Sequence, residues 1–237
     1  IVASSGSTTM RESLPLLREL LARPAGARLI WASGKTWGYP SVFDPGVLER
    51  GDLWLARRDA VTVTDEHIAK LYPWLDEGIV VPPGETSKTL SQVEVVCSAL
   101  AAQEFARGRQ IAAVGGGVVG DLAGFCAAIY QRGTPFVQVP TSLVAQVDSA
   151  YGGKTGVDLP AAKNYAGAYH QPDGVLVDVD GDPQASVCAE IVVHGAHEFY
   201  DFEAKYLDDA ADLVVPADLP FEVSDLVRDL AVRAFES

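Results

Sequence analysis

Short apolar runs alternate with helical patterns between residues 60 and 178, and this alternation constrains the fold more than any other feature. The apolar runs have four or five residues, and the segments between them carry apolar residues at helical spacing. The predicted strands are 60–64, 78–81, 110–114, 135–139 and 174–178, and the predicted helices are 66–75, 88–107, 119–130 and 143–150. Strands that alternate with helices in this way indicate parallel pairing through right-handed crossovers. The sequence therefore predicts an α/β fold with a doubly wound, mostly parallel sheet.

Ligands of such sheets bind beyond the carboxyl ends of the strands, so the residues that follow each strand are the candidate site. The run 115–120 after the third predicted strand contains a GxGxxG spacing and leads into a helix. Glycines there let the backbone approach a pyrophosphate, and the free amides at the helix start attract it. A tight turn without a ligand is the alternative, because no acidic residue lies about 20 positions further on to bind a ribose. If a dinucleotide binds, Asp65 or Glu85 is the candidate ribose contact.

Three basic residues lie between positions 110 and 180, namely Arg132, Lys154 and Lys163. Each follows a predicted strand end or sits in a glycine-rich or polar loop, which is typical of anion receptors. Asp148 lies six positions before Lys154 and is a candidate for orienting a substrate hydroxyl in the same pocket. The alternatives are ordinary surface lysines and a carboxylate on a surface helix. A phosphate-binding P-loop at 152–155 is rejected, because Asp148 stands where that motif needs its first glycine.

The composition excludes several classes of protein. The formal net charge of −14 argues against a nucleic-acid partner, because binding the phosphate backbone needs a basic face. With 48% hydrophobic and 21% charged residues the chain is typical of a folded domain. No apolar stretch approaches the roughly 18 residues of a membrane span and no signal pattern opens the chain, so we expect a cytoplasmic protein without a membrane partner.

The cysteine and histidine positions predict neither disulfides nor a metal site. Cys97, Cys126 and Cys188 have apolar surroundings and no CxxC spacing, which favours buried free thiols. His194 and His197 lie three positions apart with Glu190 nearby, but these spacings often arise by chance. We therefore predict no metal ligands from them.

A series of ordered motifs over about 120 residues resembles 3-dehydroquinate synthase. The motifs are 83–88 (PGETSK), 115–125, 132–133, 139–143 (VPTSL), 146–149 (QVDS), 152–156 (GGKTG), 163–164 and 167–172. The resemblance extends back to about residue 39 and divides the chain into three parts: a segment 1–38 of unassigned origin, a Rossmann-like NAD-binding domain 39–180, and an irregular or helical tail 181–237.

The resemblance implies an NAD-dependent phosphate lyase of the shikimate pathway that cyclises a seven-carbon sugar-acid phosphate. The alcohol is oxidised transiently by NAD, phosphate is eliminated, the ketone is reduced again, and an aldol reaction closes the ring. The implied cofactor-binding residues are Asp65, Glu85, Lys88, Gly116, Gly117, Gly120, Asp121, Thr141 and Ser142. The implied substrate-binding and catalytic residues are Arg132, Asp148, Lys154, Lys163 and Asn164. Members of that family usually pair, so the resemblance also predicts a homodimer.

The resemblance ends near residue 180, before the metal ligands of the family. Its zinc-like cation polarises the oxygen that is oxidised, but the glutamate and two histidines that hold it are not matched here. Glu190 weakly resembles the family's metal-binding glutamate, whereas His194 and His197 are not in the family's histidine motifs. Without that metal domain, we expect turnover of the full reaction to be impaired.

Residues 182–237, which hold 13 acidic and three basic side chains, resemble a segment of D-alanine–D-alanine ligase, an ATP-grasp enzyme. The resemblance implies that Tyr200, Lys205 and Tyr206 lie in a loop that closes over phosphates. Three hypotheses follow from the two resemblances: an impaired dehydroquinate-synthase-like enzyme, an ATP-grasp relative, and a non-catalytic chimera that folds without turnover.

Overall fold

The computed structural model describes residues 16, 18–23, 27–179, 188, 190–193, 211–214 and 217–236. The chain divides into two compact units, residues 1–180 and residues 181–237. Of the predicted phosphate loop, Tyr200, Lys205 and Tyr206 all lie outside the described residues, as do His194 and His197.

From residue 27 onward, the described part of the first unit contains nine strands and three α-helices. The strands are β1 (Arg28–Ser33), β2 (Gly38–Phe43), β3 (Val61–Asp65), β4 (Ile79–Val81), β5 (Ile111–Gly115), β6 (Phe136–Pro140), β7 (Lys154–Leu159), β8 (Ala162–Tyr169) and β9 (Gly174–Val177). The helices are α1 (Glu66–Leu71), α2 (Leu90–Ala102) and α3 (Gly117–Ile129).

Seven of these strands form one sheet in the order β1-β2-β9-β6-β5-β3-β4. Every neighbouring pair is parallel except β1 and β2, which form an antiparallel hairpin. Strands β7 and β8 form a separate antiparallel hairpin. The predicted mostly parallel α/β fold is therefore confirmed.

The five predicted strands are present, and their ends move by at most one residue. The helices differ more: α1 ends at Leu71 and a 3-10 turn (Pro73–Glu77) follows, because a proline disfavours helical backbone at the residue before it. Helix α2 starts two residues late, since the Thr89 side chain accepts a hydrogen bond from the Gln92 amide (3.2 Å) and caps it. The predicted helix 143–150 is a single π-turn (Ala145–Ser149).

The core covers both faces of the parallel sheet. On β5, Ile111 and Ala113 pack in one buried cluster with α2 and α3, while Ala112 and Val114 pack in a second cluster on the opposite face. Successive side chains of a strand point to opposite faces, so a strand buried on both faces has an unbroken apolar sequence. This burial explains why the apolar runs predicted the parallel strands well.

Helix α3 approaches the neighbouring strands closely through two glycines. A Cβ added at Gly120 would lie 2.7 Å from Oε1 of Gln138 on β6, and one added at Gly124 would lie 2.5 Å from Cγ2 of Thr155 on β7. Gly120 is buried in the helix, so close packing requires a glycine there. The absence of side chains at these positions sets the distance of α3 from the sheet.

The second unit contains the antiparallel strands β10 (Glu190–Val193) and β11 (Ala211–Val214) and the helix α4 (Phe221–Glu236). The terminal helix agrees with the predicted helical tail, whereas the strand pair was not predicted. No described helix has both the length and the apolar character needed to cross a membrane. All three cysteines are free, as predicted, but only Cys126 is fully buried.

We expect Gly124→Ala to destabilise the first unit. The new methyl group overlaps Thr155 and also meets the buried ring of Phe136 at 3.2 Å, and overpacking of this kind costs about 1–3 kcal/mol. The gain in helix propensity of about 1 kcal/mol offsets part of that cost. Urea denaturation followed by circular dichroism measures the loss. Gly108→Ala is the matched control, because an added Cβ there meets nothing within 4 Å; equal stability of the two variants would contradict the packing argument.

Candidate active site

The site lies at the carboxyl edge of the sheet, where β5 and β6 end side by side. Gly115 pairs with Pro140, and the amide of Thr141 donates to the Gly115 carbonyl (3.0 Å). Helix α3 starts directly after this pair, with Gly116 at its N-cap and no side chain bonded to its first turn. The first amides of a helix have no partner within the helix. The start of α3 therefore offers several free N–H donors, with the positive end of the helix dipole behind them.

Two serines border this helix start. A Cβ added at Gly116 would lie 3.4 Å from the Ser142 hydroxyl oxygen, and one added at Gly117 would lie 3.1 Å from the Ser149 hydroxyl oxygen. Glycine at both positions keeps the space beside the free amides open. Backbone donors that a ligand can approach this closely suit a phosphate group.

A buried lysine joins three separate segments beside this edge. Lys88 is 5% exposed, and its Nζ donates to Oδ2 of Asp121 on α3 (2.6 Å) and to Oδ1 of Asn164 on β8 (2.5 Å). The Lys88 carbonyl accepts from the Asp158 amide (2.8 Å), and Oδ1 of Asp158 accepts from the Asn164 amide (2.6 Å). The loop before α2, helix α3 and the β7–β8 hairpin are thereby held in one arrangement.

Burial raises the pKa of the Asp121 carboxyl above its ordinary value, because the charged form loses hydration. The Lys88 ammonium acts in the opposite direction, and the negative charges of Glu85 and Asp158 add to the rise. Asp121 is therefore a carboxyl whose charge depends on its contact with Lys88.

A cleft of about 870 Å³ opens next to this cluster. This volume lies within the range of small-molecule sites. Its polar lining includes Asp121, Asp148, Lys154 and Asn164. The other lining residues are Trp37, Val147, Ser149, Tyr151, Gly152, Thr155, Gly156, Tyr165, Gly167, Ala168 and Tyr169.

Of the predicted site residues, Glu85 and Lys88 line a second, smaller depression of about 490 Å³, together with Asp158 and others. Glu85 lies 3.9 Å from Nζ of Lys163, and both side chains are largely exposed. An exposed pair at this distance contributes little to stability. Asp65 caps α1, with its Oδ1 accepting from the amides of His67 (2.8 Å) and Ile68 (3.1 Å).

The prediction that Arg132, Lys154 and Lys163 share one pocket is wrong. Arg132 follows the last turn of α3, and the helix spans about 20 Å between it and the ligand edge. Lys163 lies near the turn of the β7–β8 hairpin, whereas Lys154 lies at its open end and lines the cleft. A residue that lies between a helix and the next parallel strand is at the amino edge of the sheet. By this rule Arg132 lies at the edge opposite the cleft.

The sequence analysis missed two aromatic residues that line the cleft, Trp37 and Tyr151, and the buried residues that hold them. Tyr39 is buried and its hydroxyl accepts from the Gly152 amide (3.0 Å), while the Tyr151 hydroxyl bonds to Oγ of Ser41 (2.8 Å). Trp37 stacks on Tyr39 with ring centroids 5.3 Å apart. The glycines at 34 and 38 that flank Trp37 indicate a turn, but no spacing in the sequence connects it to residues 148–154.

We expect Lys88→Gln to raise the pKa of Asp121 further, because the substitution removes the cation that favours the carboxylate. Carboxyl-carbon NMR titration, with the signal assigned by its loss in Asp121→Asn, measures the change. A carboxyl with a raised pKa in the folded state stabilises the fold below its unfolded value, near 3.9, and that contribution is lost as pH rises through the folded pKa. The stability of the variant should therefore fall more with rising pH than that of the parent. Lys154→Gln is the control, since Lys154 is not a cause of the shift; a lower Asp121 pKa in Lys88→Gln would contradict the argument.

Two protein families match this chain in succession. Residues 78–181 match the family described as 3-dehydroquinate synthase N-terminal, and residues 173–237 match the family described as D-ala D-ala ligase C-terminus. A 3-dehydroquinate synthase from Methylococcus capsulatus is 48% identical over 155 residues, which cover 60% of this chain and 43% of the relative. The chain spans about half the length of the curated relatives it matches.

Solved structures of sugar cyclases have a similar fold. The 2-epi-5-epi-valiolone synthase of Streptomyces hygroscopicus, with NAD+ and Zn2+ bound, is 29% identical with a TM-score of 0.56, covering 62% of this chain and 44% of that one. A 2-deoxy-scyllo-inosose synthase in complex with carbaglucose-6-phosphate, NAD+ and Co2+ is 28% identical with a TM-score of 0.53, covering 64% and 46%.

The resemblance predicted from the sequence is thus confirmed: the chain joins a region similar to the N-terminal part of 3-dehydroquinate synthases to one similar to the C-terminal part of D-ala D-ala ligases.

Proposed function

We propose that the first unit binds NAD at the start of α3 and a phosphorylated sugar acid in the adjacent cleft. The chain would thereby supply the NAD-binding half of a 3-dehydroquinate synthase-like phosphate lyase. The observation that carries this proposal is the uncapped start of α3 beside the Lys88–Asp121–Asn164 cluster. The match of residues 78–181 to the synthase family supports the same conclusion.

The pyrophosphate of NAD would lie against the amides at Gly116 and Gly117. Their missing side chains keep that approach open, and the helix dipole favours the negative charge. Thr141 and Ser142, which follow β6 beside this turn, would contact the nicotinamide end. Asp65 and Glu85, which follow or lie near neighbouring strands, would face the adenosine end. Gly120 would act through packing rather than contact, since it is buried against Gln138.

The substrate would occupy the cleft next to the cofactor. Lys154 would attract its phosphate or carboxylate, and Asp148 and Asn164 would hydrogen-bond to its hydroxyls. Nζ of Lys163 lies 3.9 Å from the Glu85 carboxylate. Lys163 would therefore contact an anionic group of the ligand only where Glu85 also borders the site. Arg132 lies outside this arrangement within the chain.

When bound, NAD supplies a hydride acceptor for the secondary alcohol of the substrate. The chain's own contribution is orientation: Lys88 keeps Asp121 and Asn164 fixed, and this rigidity holds the alcohol in one position. Fixed donors also lower the cost of charge that develops on the departing phosphate, because they need no reorganisation. The pKa of the Asp121 carboxyl is raised by burial, a rise that the Lys88 ammonium opposes, so a further negative charge in the cleft would raise it more.

The described residues do not fit the metal of the related enzymes. Among them, no three His, Cys, Asp or Glu side chains are grouped so that they could hold an ion. Of the residues weighed as ligands, Glu190 lies on β10, and His194 and His197 lie outside the described part of the chain. No step of the proposed chemistry is therefore assigned to a metal.

The whole reaction, its cytoplasmic location and the pairing of two chains remain proposals, since the chain spans only about half the length of its relatives. The ATP-grasp alternative is not favoured: the ligase match covers residues 173–237, outside the start of α3 and the cleft, and the curated relatives described above are synthases.

Calorimetric titration of the full chain with NAD tests the proposal. We expect the parent chain to bind NAD. Gly117→Val should bind NAD at least about tenfold more weakly, a loss of about 1.4 kcal/mol or more of binding free energy, because the new side chain covers the free amides. Gly108→Val is the matched control, since space is open around Gly108.

Absence of heat with NAD in the parent would end the proposal. A parallel titration with ATP separates the alternatives. Heat with ATP that is lost in Lys205→Ala, with no NAD binding, would support the ligase-like function, and no binding of either nucleotide would support the non-catalytic chimera.

A further inference from the structure

The lining of the cleft includes a tryptophan that lies before the region matched by the synthase family. Trp37 precedes β2 and lines the cleft together with Lys154 and Asp148. It belongs to the β1–β2 hairpin, in which Ser33 pairs with Gly38. This residue lies in the segment 1–38 that the sequence analysis left without a role.

The position of the Trp37 ring is set by its neighbours. One partner is Tyr39, whose ring stacks on it with an interplanar angle of 16° and is itself buried. The other is Gly34, where an added Cβ would lie only 2.6 Å from Nε1 and Cε2 of the indole. The Gly34 amide donates to the Trp37 carbonyl (2.9 Å), which closes the turn. The ring is therefore held in place before any ligand arrives.

The indole N–H of Trp37 makes no hydrogen bond with any residue that the structure describes. Two other tryptophans show the usual behaviour: Nε1 of Trp54 donates to Oδ2 of Asp44 (2.7 Å), and Nε1 of Trp74 donates to the Leu48 carbonyl (3.0 Å). Tryptophan N–H groups generally find a partner where the ring is covered. A fixed ring with an unused donor at a cleft is arranged for a ligand acceptor.

Trp37 is also connected to the cation of the cleft. The Tyr39 hydroxyl accepts from the Gly152 amide (3.0 Å), and Lys154 follows two residues later. Gly152 and Gly153 have φ values of +80° and +69°, a backbone conformation that glycine adopts without strain. Tyr39 therefore contacts both Trp37 and this turn, and the indole and Lys154 line the same cleft.

We propose that Trp37 is a ligand-binding residue of the cleft, whose indole N–H donates to an oxygen of the anionic group of the bound sugar phosphate. The proposal rests on the proposed function for the identity of the ligand. The proposal adds a specificity contact from the β1–β2 hairpin, which precedes the matched region. It requires the ligand to carry an acceptor oxygen where that oxygen can meet both Trp37 and Lys154.

The test is the binding of the seven-carbon sugar-acid phosphate to the full chain with NAD present, measured by calorimetry and by tryptophan fluorescence. We expect Trp37→Phe, which keeps a ring but loses the N–H, to weaken binding at least about tenfold, the effect of one hydrogen bond to a charged group. Affinity for NAD alone should stay unchanged. Trp31→Phe is the matched control, because Trp31 is on the same hairpin and does not line the cleft.

Gly34→Ala gives a second test that leaves Trp37 in place. The added methyl group displaces the indole, so this variant should also weaken sugar-phosphate binding while NAD binding is kept. Equal affinity for the sugar phosphate in the parent, Trp37→Phe and Gly34→Ala would overturn the role of Trp37. A parent that binds NAD but not the sugar phosphate would overturn it as well and leave the cofactor site standing, whereas a parent that binds neither would end both proposals.

Discussion

The arrangement of the site depends on one buried ammonium group. A charged lysine inside a protein is costly unless it is paired and hydrogen-bonded, and Lys88 donates to Asp121 and to Asn164. Removal of one partner from a buried ion pair typically costs about 3–5 kcal/mol, because the other charge stays without compensation. Asp121 and Asn164 line the same cleft. The cation therefore fixes two walls of the cleft relative to each other, and neither can move alone.

The strands of the parallel sheet were predictable from the sequence, because burial on both faces leaves an unbroken apolar run. The β7–β8 hairpin was not, since β8 alternates between half-buried and exposed positions and carries small and polar residues such as Asn164 and Gly167. Such a strand has no apolar periodicity. It is held instead by its partner strand, which includes Asp158, and by the contact to Lys88, which lies 76 positions earlier in the sequence.

The site was predictable where its parts are close in sequence. Gly116, Gly117 and Asp121 lie within about one and a half helical turns, so a strand-to-helix motif locates all of them. The positions of the cations were harder to predict, because sequence spacing shows that a residue lies in a loop. It does not show to which edge of the sheet that loop belongs. Arg132 follows a helix and so lies at the edge opposite the cleft. Lys88 is the buried cation of the site. It lies outside residues 110–180, in which the basic residues were counted, so only the family resemblance indicated it.

Helix α3 connects the stability of the fold to the geometry of the site. Gly117, Gly120 and Gly124 are spaced so that they share one side of the helix, and Gly120 and Gly124 lie against β6 and β7 at distances that admit no side chain. Asp121 belongs to the same turns and reaches Lys88 only because the helix lies this close. A group that pushed α3 outward would lengthen the Lys88–Asp121 contact and tilt the free amides at Gly117 at the same time. The glycine-lined start of α3 and the cleft therefore both depend on how closely this helix packs against β6 and β7.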